Sequence, residues 1–448
     1  MTRRMLVTGG FVLTQDASLG DIPAGDILIE DGVIVAVGKN LEAADAEVID
    51  AQGTIVIPGF IDTHRHTWES AVRGIMPAVT IGQYLYLTFG KLAWLFRPED
   101  VRTGTYLGAL EALNAGVTTM VDWAHCNNTP EHADAGIEAL LESGIRAQYA
   151  YGPPALEGWW QHSDKPHPDD TRRVRSKYFS SSDQLLSFAL ALRGPGESTD
   201  EVTAHDWRLA RELNARITVH SGVRNPYVQT KLVEELDRQG LLGADTMYVH
   251  ASTHDAHELD LIAQSGGSIS VAPYVEMIMG HGHPAIGRAI AAGLAPTLSI
   301  DCVASVPGDM FTQMRTALAS DRSQELDLDT SVEYAPTLTH KDVFGFANLN
   351  GAASLGLAHK VGSITVGKDA DLVLIRADAI NTMPIVDPYA TVAVSADVSN
   401  VDTVIVRGEI RKRDGKLLGV DLARLRNDAD ASRDFVLSKA DLKPSWMS

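Results

Sequence analysis

Cysteine is scarce in this chain of 448 residues, which holds Cys126 and Cys302. Two cysteines cannot build a disulfide framework or a four-cysteine zinc knuckle. A run of about 18 uninterrupted apolar residues is also missing, so we expect no membrane span. The basic start at Met1 breaks off before the apolar core of a signal peptide forms. These absences predict a cytoplasmic protein.

Basic residues are outnumbered, with 38 Lys and Arg against 58 Asp and Glu and a net charge of −20. Nucleic acids and anionic membranes need a basic face on their protein partner, so we expect neither to bind. A hydrophobic fraction of 45% is ordinary for a globular protein and excludes a disordered chain. We expect a small-molecule substrate, and we expect the chain to form a homo-oligomer.

The two ends of the chain have the texture of short β-strands. Residues 26–30 and 33–37 are apolar runs separated by Asp31-Gly32, which indicates a tight hairpin. Strand-like runs return at residues 371–375 and 403–406. Since neither end can bury a core alone, we predict one small β-sandwich built from residues 1–58 and 365–420. Residues 421–448 are predicted to form a polar helical tail.

Residues 59–364 alternate between apolar runs and helical patterns. The predicted strands are residues 60–61, 118–121, 146–151, 186–192, 216–219, 247–249, 268–272 and 295–300. The helical patterns among them are residues 98–115, 131–143, 199–214, 254–264 and 285–292. This alternation predicts an α/β fold, a (β/α)8 TIM barrel, and an open doubly wound sheet is the competing architecture.

Two long polar stretches, residues 161–183 and 319–341, interrupt the barrel pattern. Irregular segments of this length in a compact domain are commonly lids or binding loops. We therefore expect one of them to cover the catalytic pocket.

Polar residues with metal-binding chemistry follow several predicted strands. The segment Asp62-Thr63-His64-Arg65-His66 follows the first, and residues i and i+2 of a strand share one face. A His-x-His pair alone is equally compatible with surface or packed histidines. However, His220, His250 and Asp301 end further predicted strands, and barrel active sites lie at those carboxyl ends. Together they predict a metal site of imidazoles and a carboxylate.

The chain resembles the amidohydrolase superfamily, in the metal-dependent hydrolase branch that includes cyclic deaminases, triazine chlorohydrolases, and phenylurea and thiocarbamate hydrolases. The N-terminal motif is residues 53–66, where Pro58-Gly59-Phe60-Ile61-Asp62 precedes the histidine pair. A second motif covers residues 356–364 and 367–372, with Gly367-Lys368-Asp369-Ala370-Asp371-Leu372 as its end. The resemblance extends to about residue 420.

The resemblance implies a ligand set of His64, His66, His220 and Asp301 for one divalent metal ion. Zinc suits such a nitrogen-rich site best, although Fe²⁺, Co²⁺ and Mn²⁺ accept similar ligands. The resemblance also implies catalytic roles, with Asp301 accepting a proton from the attacking water and His250 lying close to that water. A metal-activated water with a nearby carboxylate is chemically sufficient for hydrolysis.

Two departures from the family pattern bear on the reaction. Members with two metals carry a carboxylated lysine at the end of strand 4, where this chain has no lysine but Arg193. Deaminases place a glutamate about three residues after the strand-5 histidine, whereas His220 is followed by Ser221-Gly222-Val223-Arg224. We therefore predict one metal and hydrolysis of an amide, urea or carbamate type C–N bond. A deaminase or chlorohydrolase acting on an N-heteroaromatic ring is the alternative, and a non-catalytic barrel scaffold is a lesser one.

Further residues are candidates for binding substrate. Glu69 follows the histidine pair and is predicted to be catalytic, the alternative being a helix-start carboxylate. Glu276 and the glycine-rich segment with His281 and His283 follow predicted strand 7 and are expected to line the pocket. Tryptophans cluster near predicted strands 1 to 3, either as a pocket wall for a flat substrate or as core. From these regions we predict Trp68, Trp123, Arg193 and Glu276 as substrate-binding residues.

Overall fold

The computed structural model describes residues 3–227, 230–328 and 336–442. Five strands open the chain, and four more follow the barrel. The first five are β1 (Arg4–Val12), β2 (Ile22–Glu30), β3 (Val33–Gly38), β4 (Glu47–Asp50) and β5 (Thr54–Pro58). Asp31 and Gly32 both have positive φ, 46° and 86°, as the tight turn between β2 and β3 requires. The predicted hairpin is therefore present.

The barrel consists of eight parallel strands that pair in chain order. They are β6 (Phe60–Arg65), β7 (Val117–Ala124), β8 (Arg146–Tyr151), β9 (Leu186–Leu192), β10 (Arg216–Ser221), β11 (Thr246–His250), β12 (Ser268–Val271) and β13 (Thr297–Leu298). A parallel bridge between Arg65 and Asp301 brings the last strand back to the first. The predicted TIM barrel is confirmed, and an open doubly wound sheet is excluded.

Both chain ends contribute to a second sheet. The C-terminal strands are β14 (Leu372–Arg376), β15 (Val401–Val406), β16 (Glu409–Arg413) and β17 (Lys416–Leu417). Strand β14 pairs antiparallel with β5, which joins the two ends in one nine-stranded mixed sheet. Its buried side chains, among them Val7, Ile27, Leu372 and Ile405, form a hydrophobic cluster apart from the barrel core. The prediction of one β unit built from both ends is confirmed.

Helices surround the barrel. They are α1 (Ile81–Leu87), α2 (Pro98–Asn114), α3 (Pro130–Ser143), α4 (Asp170–Tyr178), α5 (Asp200–Glu212), α6 (Leu232–Arg238), α7 (Ala256–Ser265), α8 (Pro273–Ile278), α9 (Ile286–Ala291), α10 (Met310–Leu328), α11 (His340–Phe346), α12 (Leu349–Ser354), α13 (Pro388–Ala390) and α14 (Leu422–Lys439). Helix α14, in the predicted tail, packs on the start of α2, where the Arg97 guanidinium lies 3.7 Å from the centre of the Phe435 ring. None of the helices in the described part of the chain combines the length and apolar content that crossing a bilayer requires.

The two polar stretches are not the irregular segments that their composition suggested. Helix α4 lies within residues 161–183, and α10 continues through residues 319–328, beyond which residues 329–335 fall outside the described part. Helix α10 buries Met310, Met314 and Ala317 on one side and exposes polar residues elsewhere. The high polar content of α10 therefore comes from side chains on its solvent-facing surface and does not indicate an irregular segment.

Candidate metal centre

Five candidate residues meet at the carboxyl end of the barrel. His64 lies in β6 and His66 directly follows it; His220 lies near the end of β10, and His250 ends β11. Asp301 follows β13 at the bridge that closes the barrel. Because parallel strands end at one edge, side chains that are far apart in the chain come together there.

The ligand atoms of this group converge. Nε2 of His64 and Nε2 of His66 each lie 3.3 Å from Oδ1 of Asp301. Nε2 of His220 lies 3.3 Å from Nε2 of His64. Ligands of a tetrahedral zinc ion with bonds of about 2.0–2.1 Å are separated by about 3.3–3.4 Å. The spacing and the chemistry of the donors therefore both fit a divalent ion.

Neighbouring groups orient the rings. Nδ1 of His66 lies 3.0 Å from the backbone oxygen of Trp123, so Nδ1–H donates there and Nε2 is left as a lone-pair donor to a metal. Nδ1 of His250 lies 3.2 Å from Oε1 of Glu276, an oxygen that also accepts from the backbone N–H of Ala272 at 2.8 Å. Such partners hold the tautomer and direction of an imidazole.

Burial prepares the site for a cation. It lowers the pKa of His64 to about 3, and it lowers the pKa of His220 well below its usual range with help from the other histidines. Burial opposes ionisation of Asp301, yet contacts with His64 and His66 hold the pKa of that carboxyl well below its usual range. The low pKa values keep His64 and His220 unprotonated, the form of an imidazole that binds metal. Burial opposes protonation of His66 as well, but contact with Asp301 raises the pKa of that ring.

The backbone is strained at two of these positions. His250 has φ of 82°, the following Ala251 has 56°, and Asp301 has 72°. Positive φ is uncommon in residues other than glycine and concentrates at functional sites. Hydrogen bonds from Asp301 N to His64 O and from Ala251 N to Ser221 O, both 2.9 Å, maintain the strained conformation.

A cavity of about 960 Å³ opens onto the cluster, and His66, His220, His250 and Asp301 belong to its lining. Its remaining wall is rich in aromatic rings contributed by α1, by the short helical turns that directly follow α1, and by loops. These aromatic residues are Tyr84, Tyr86, Phe89, Trp94, Trp160 and Tyr227. The cavity is thus large enough for a small molecule and suited to a flat one.

The model of the amidohydrolase family matches residues 55–411. This chain belongs to the amidohydrolase family. It is a metal-dependent hydrolase that acts on carbon–nitrogen bonds, as the resemblance in the sequence implied.

Curated relatives match this amidohydrolase along nearly its whole length. A 5-methylthioadenosine/S-adenosylhomocysteine deaminase from Pyrococcus furiosus is 29% identical over 426 residues, covering 93% of this chain and 97% of the relative. A 5'-deoxyadenosine deaminase from Methanosarcina mazei is 25% identical over 446 residues, covering 97% and 99%.

Solved structures share the fold of this amidohydrolase. An adenosine deaminase from Xanthomonas campestris with bound zinc has a TM-score of 0.83 at 23% identity, covering 97% of this chain and 98% of that chain. Atrazine chlorohydrolase from Arthrobacter aurescens in complex with zinc has a TM-score of 0.83 at 22% identity, covering 96% and 100%. The barrel with its terminal sheet is therefore an established amidohydrolase architecture.

Glu69 lies behind the cavity wall of this amidohydrolase. Its side chain is buried, and Oε1 accepts a hydrogen bond of 2.6 Å from the hydroxyl of Tyr84, which does line the cavity. Burial raises the pKa of Glu69 to about 7. Glu69 is therefore linked to the cavity through a tyrosine rather than facing it.

The four residues predicted to bind substrate lie outside the cavity lining. Trp68 donates to Nδ1 of His125 at 3.4 Å, and Trp123 packs beneath His220 with ring centres 4.3 Å apart. Glu276 holds His250, as described above. Substrate contact by these residues stays a prediction, and in the structure their side chains pack around the cluster.

Arg193 is the fourth of these residues and the most clearly structural. Its guanidinium is fully buried, pairs with Asp206 at 3.2 Å, and donates to the backbone oxygens of Trp159 at 3.0 Å and Lys165 at 2.7 Å. These partners engage the two terminal nitrogens of its guanidinium, and substrate binding by Arg193 stays a prediction.

Sequence reasoning missed some of the cavity. His281 was placed in the pocket correctly, and its ring centre lies 4.7 Å from that of His250. Glu197, in the segment after β9, also lines the cavity but was not singled out. The one available signal was its place between Gly196 and Ser198, directly beyond a barrel strand. Of the two stretches expected to act as lids, Gln161 is the one residue in the lining among those described.

Proposed function

We propose that this amidohydrolase removes an amino group by hydrolysis from an N-heteroaromatic compound. The observation that carries the proposal is the aromatic wall of the cavity, which lies directly against the histidine and aspartate cluster. A flat ring between such side chains would present an exocyclic C–N bond to the cluster. Curated relatives that act as deaminases on adenosine-type compounds support this choice, which reverses the order expected from the sequence.

We infer that the site holds one ion, zinc, through His64, His66, His220 and Asp301. The nitrogen-rich donors and their separations of 3.3 Å support this ligand set. Arg193, which stands near the strand end where a bridging lysine would be needed, supports a single ion. A divalent ion held here would lower the pKa of a coordinated water to about 7, which supplies a nucleophile at neutral pH.

The protein's own groups move the protons in this proposal. Oδ2 of Asp301 collects the proton that the attacking water loses. Nε2 of His250, 3.8 Å from that oxygen, orients the water while Glu276 holds the ring from behind. In the resting structure the Tyr84 hydroxyl donates to Oε1 of Glu69 at 2.6 Å. To protonate the leaving nitrogen, this hydroxyl turns to the substrate and takes a proton from Glu69, whose pKa is raised to about 7 by burial. Solvent then reprotonates Glu69 and removes the proton from Asp301. Tyr84 and Glu69 thereby replace the glutamate that is missing after His220.

Hydrolysis of an amide, urea or carbamate remains the second candidate. The observation that favours it is the segment after His220, where Val223 and not a carboxylate lines the cavity. A substrate of this type releases an organic amine, which needs less assistance from a dedicated acid when the amine is a weak base.

Identification of the reaction products distinguishes deamination of a heterocycle from hydrolysis of an amide, urea or carbamate. Zinc-loaded enzyme is incubated with aminated purines and triazines and with matched phenylureas, carbamates and anilides, and products are read by mass spectrometry and ammonia release. The proposal expects ammonia from an aminated heterocycle and a kcat that is about 10²–10⁴-fold lower in the Asp301→Asn variant. An organic amine from a urea or anilide, with no ammonia from any heterocycle, would overturn it. Glu69→Gln should keep its metal and lose rate if the Tyr84 pathway operates.

Three wider predictions accompany this function. We propose residues 1–58 and 365–420 as one β unit, residues 59–364 as the barrel domain and residues 421–448 as the tail. Cytoplasmic location stays a prediction, with which the two buried unpaired cysteines are compatible. Assembly as a homo-oligomer also stays a prediction, and size-exclusion chromatography with light scattering tests it.

A further inference from the structure

Away from the metal centre, the charged side chains that line the cavity are all negative. Apart from Asp301, its described lining contains the carboxylates of Glu157 and Glu197, and it contains no lysine or arginine. Lys91 and Lys165 come near the wall, 5.9 Å from the Tyr86 ring centre and 3.2 Å from the backbone oxygen of Glu157, but neither belongs to the lining. An anionic substrate would therefore meet repulsion along the wall, and a cationic one attraction.

Glu197 is held in place by its backbone. Its N–H donates to the oxygen of Gly194 at 3.1 Å, and its own oxygen accepts from the N–H of Ser163 at 2.9 Å. A further bond of 3.2 Å, from His162 N to Gly196 O, fixes the segment against the stretch that carries Trp160. The segments that carry Glu197 and Trp160 are consequently joined by backbone hydrogen bonds in one part of the cavity wall.

The half-buried carboxylate of Glu197 makes no hydrogen bond or ion pair with a side chain of the described residues, and its backbone contact is with Gly194. The neighbouring guanidinium of Arg193 is committed to Asp206 instead. Burial raises the pKa of Glu197 to about 7, and Arg193 offsets this effect only in part. A carboxylate that loses hydration and has no side chain paired with it retains acceptor capacity for a ligand.

Aromatic rings complete the environment of a cation. The Phe89 and Trp160 rings lie 4.5 Å apart, tilted by 37°, and both line the cavity that Glu197 faces. Aromatic faces attract cations, and the attraction grows when water is excluded. A carboxylate and aromatic faces that line one cavity can together recognise an amidinium, a guanidinium or an aromatic ammonium group.

We propose that Glu197 is a specificity residue that binds a positively charged N–H group of the substrate, at a point away from the metal centre. The proposal rests on the proposed function only in taking this cavity as the substrate site. It narrows the substrate to an aromatic compound with a cationic or strongly N–H-donating substituent. It also predicts that a substrate with an anionic tail, such as the amino-acid carboxylate of S-adenosylhomocysteine, finds no counter-charge in the lining.

Binding of two matched probes tests this proposal. Benzamidinium and benzamide have nearly the same shape and differ by one positive charge. Isothermal titration calorimetry measures their affinities for the zinc-loaded wild type and for Glu197→Gln, Glu197→Asp and Glu157→Gln. Glu157 is the matched control, since its carboxylate also lines the cavity but is solvent-exposed.

The expected pattern is selective for charge. Benzamidinium should bind the wild type more tightly than benzamide, and Glu197→Gln should weaken benzamidinium by about tenfold to a hundredfold while leaving benzamide unchanged. Glu197→Asp should retain part of the preference, and Glu157→Gln should change it by less than about threefold. Equal losses for both probes in Glu197→Gln, or no loss, would overturn the proposal. Because binding needs no turnover, this result is independent of whether ammonia or an organic amine is released.

Discussion

The metal cluster and the cavity wall are built in opposite ways. The cluster residues stand on the ends of barrel strands that are hydrogen-bonded to one another, and His64, His66 and Asp301 are buried. The wall comes from α1 and from loops, and several of its rings, including Tyr86, Trp94 and Tyr227, are about half exposed. One region is fixed by the sheet, whereas the other depends on connecting segments.

This difference suggests that the metal cluster carries out the reaction and that the cavity wall selects the substrate. Strand ends in a closed barrel cannot shift singly without breaking the parallel ladder, so they hold ligands at fixed distances. Loops tolerate sequence change and commonly carry substrate contacts. Variants in the cluster should therefore change metal content or kcat by orders of magnitude, and variants in the wall should change affinity by about tenfold.

His220→Ala should have the largest effect. Removing one of three imidazoles from a closely spaced ligand set should abolish bound zinc and reduce turnover below detection. Metal content by mass spectrometry and kcat with an active substrate check this. His125→Ala is the matched control, because His125 is a buried cavity histidine outside the groups whose ligand atoms lie within 4.8 Å of one another. Full zinc occupancy in His220→Ala would show that the ligand set is wrong.

Asp301→Asn should separate metal binding from proton transfer. The amide oxygen can still ligate an ion, but it cannot collect the proton of the attacking water. We expect kcat to fall by about 10²–10⁴-fold while more than half of the zinc remains. If kcat fell only in proportion to the zinc lost, Asp301 would be a ligand without the proposed role as a base.

The same contrast explains how far the sequence predicted the molecule. Alternating apolar runs revealed the barrel because each parallel strand is buried on both faces. His64, His66, His220, His250 and Asp301 could be grouped because topology alone brings strand ends together. Both inferences depend on the order of elements and not on side-chain directions.

Side-chain direction is what the sequence could not predict. Arg193 follows a barrel strand as His66 does, yet Asp206 and two backbone oxygens turn it away from the cavity. Glu197 faces the cavity because the segment after β9 is braced against residues 162–163, a contact that no periodicity reveals. Local spacing therefore predicted which residues meet at the strand ends, but it did not predict which loop residues face the cavity.

Glu276→Ala should have an intermediate effect on kcat, because Glu276 orients the His250 ring of the metal cluster. Without the carboxylate, the His250 ring loses the acceptor for Nδ1–H and can rotate or change tautomer. We expect kcat to fall by about 10–100-fold with little change in zinc content, the usual range for groups that orient active-site imidazoles. Glu276→Gln should recover most of the rate, because its amide oxygen accepts the same hydrogen bond. Loss of zinc in Glu276→Ala would instead make His250 a ligand.

The smallest expected effect is the pH dependence of benzamidinium binding at the cavity wall. The pKa of Glu197 is raised to about 7 by burial, so its carboxyl is mostly protonated at pH 6 and mostly ionised at pH 8. Only the ionised form pairs with a cation, and both benzamidinium and Arg193 stay protonated over this range. The affinity for benzamidinium should therefore rise by up to about tenfold from pH 6 to pH 8, while the affinity for benzamide stays level. Glu69, whose pKa is also raised to about 7 by burial, titrates in the same range, but its contribution would persist in Glu197→Gln, whereas that of Glu197 would vanish. If the affinity of Glu197→Gln for benzamidinium rose by the same factor, the pH dependence would come from groups other than Glu197. The cavity wall would then not select substrates independently of the metal cluster.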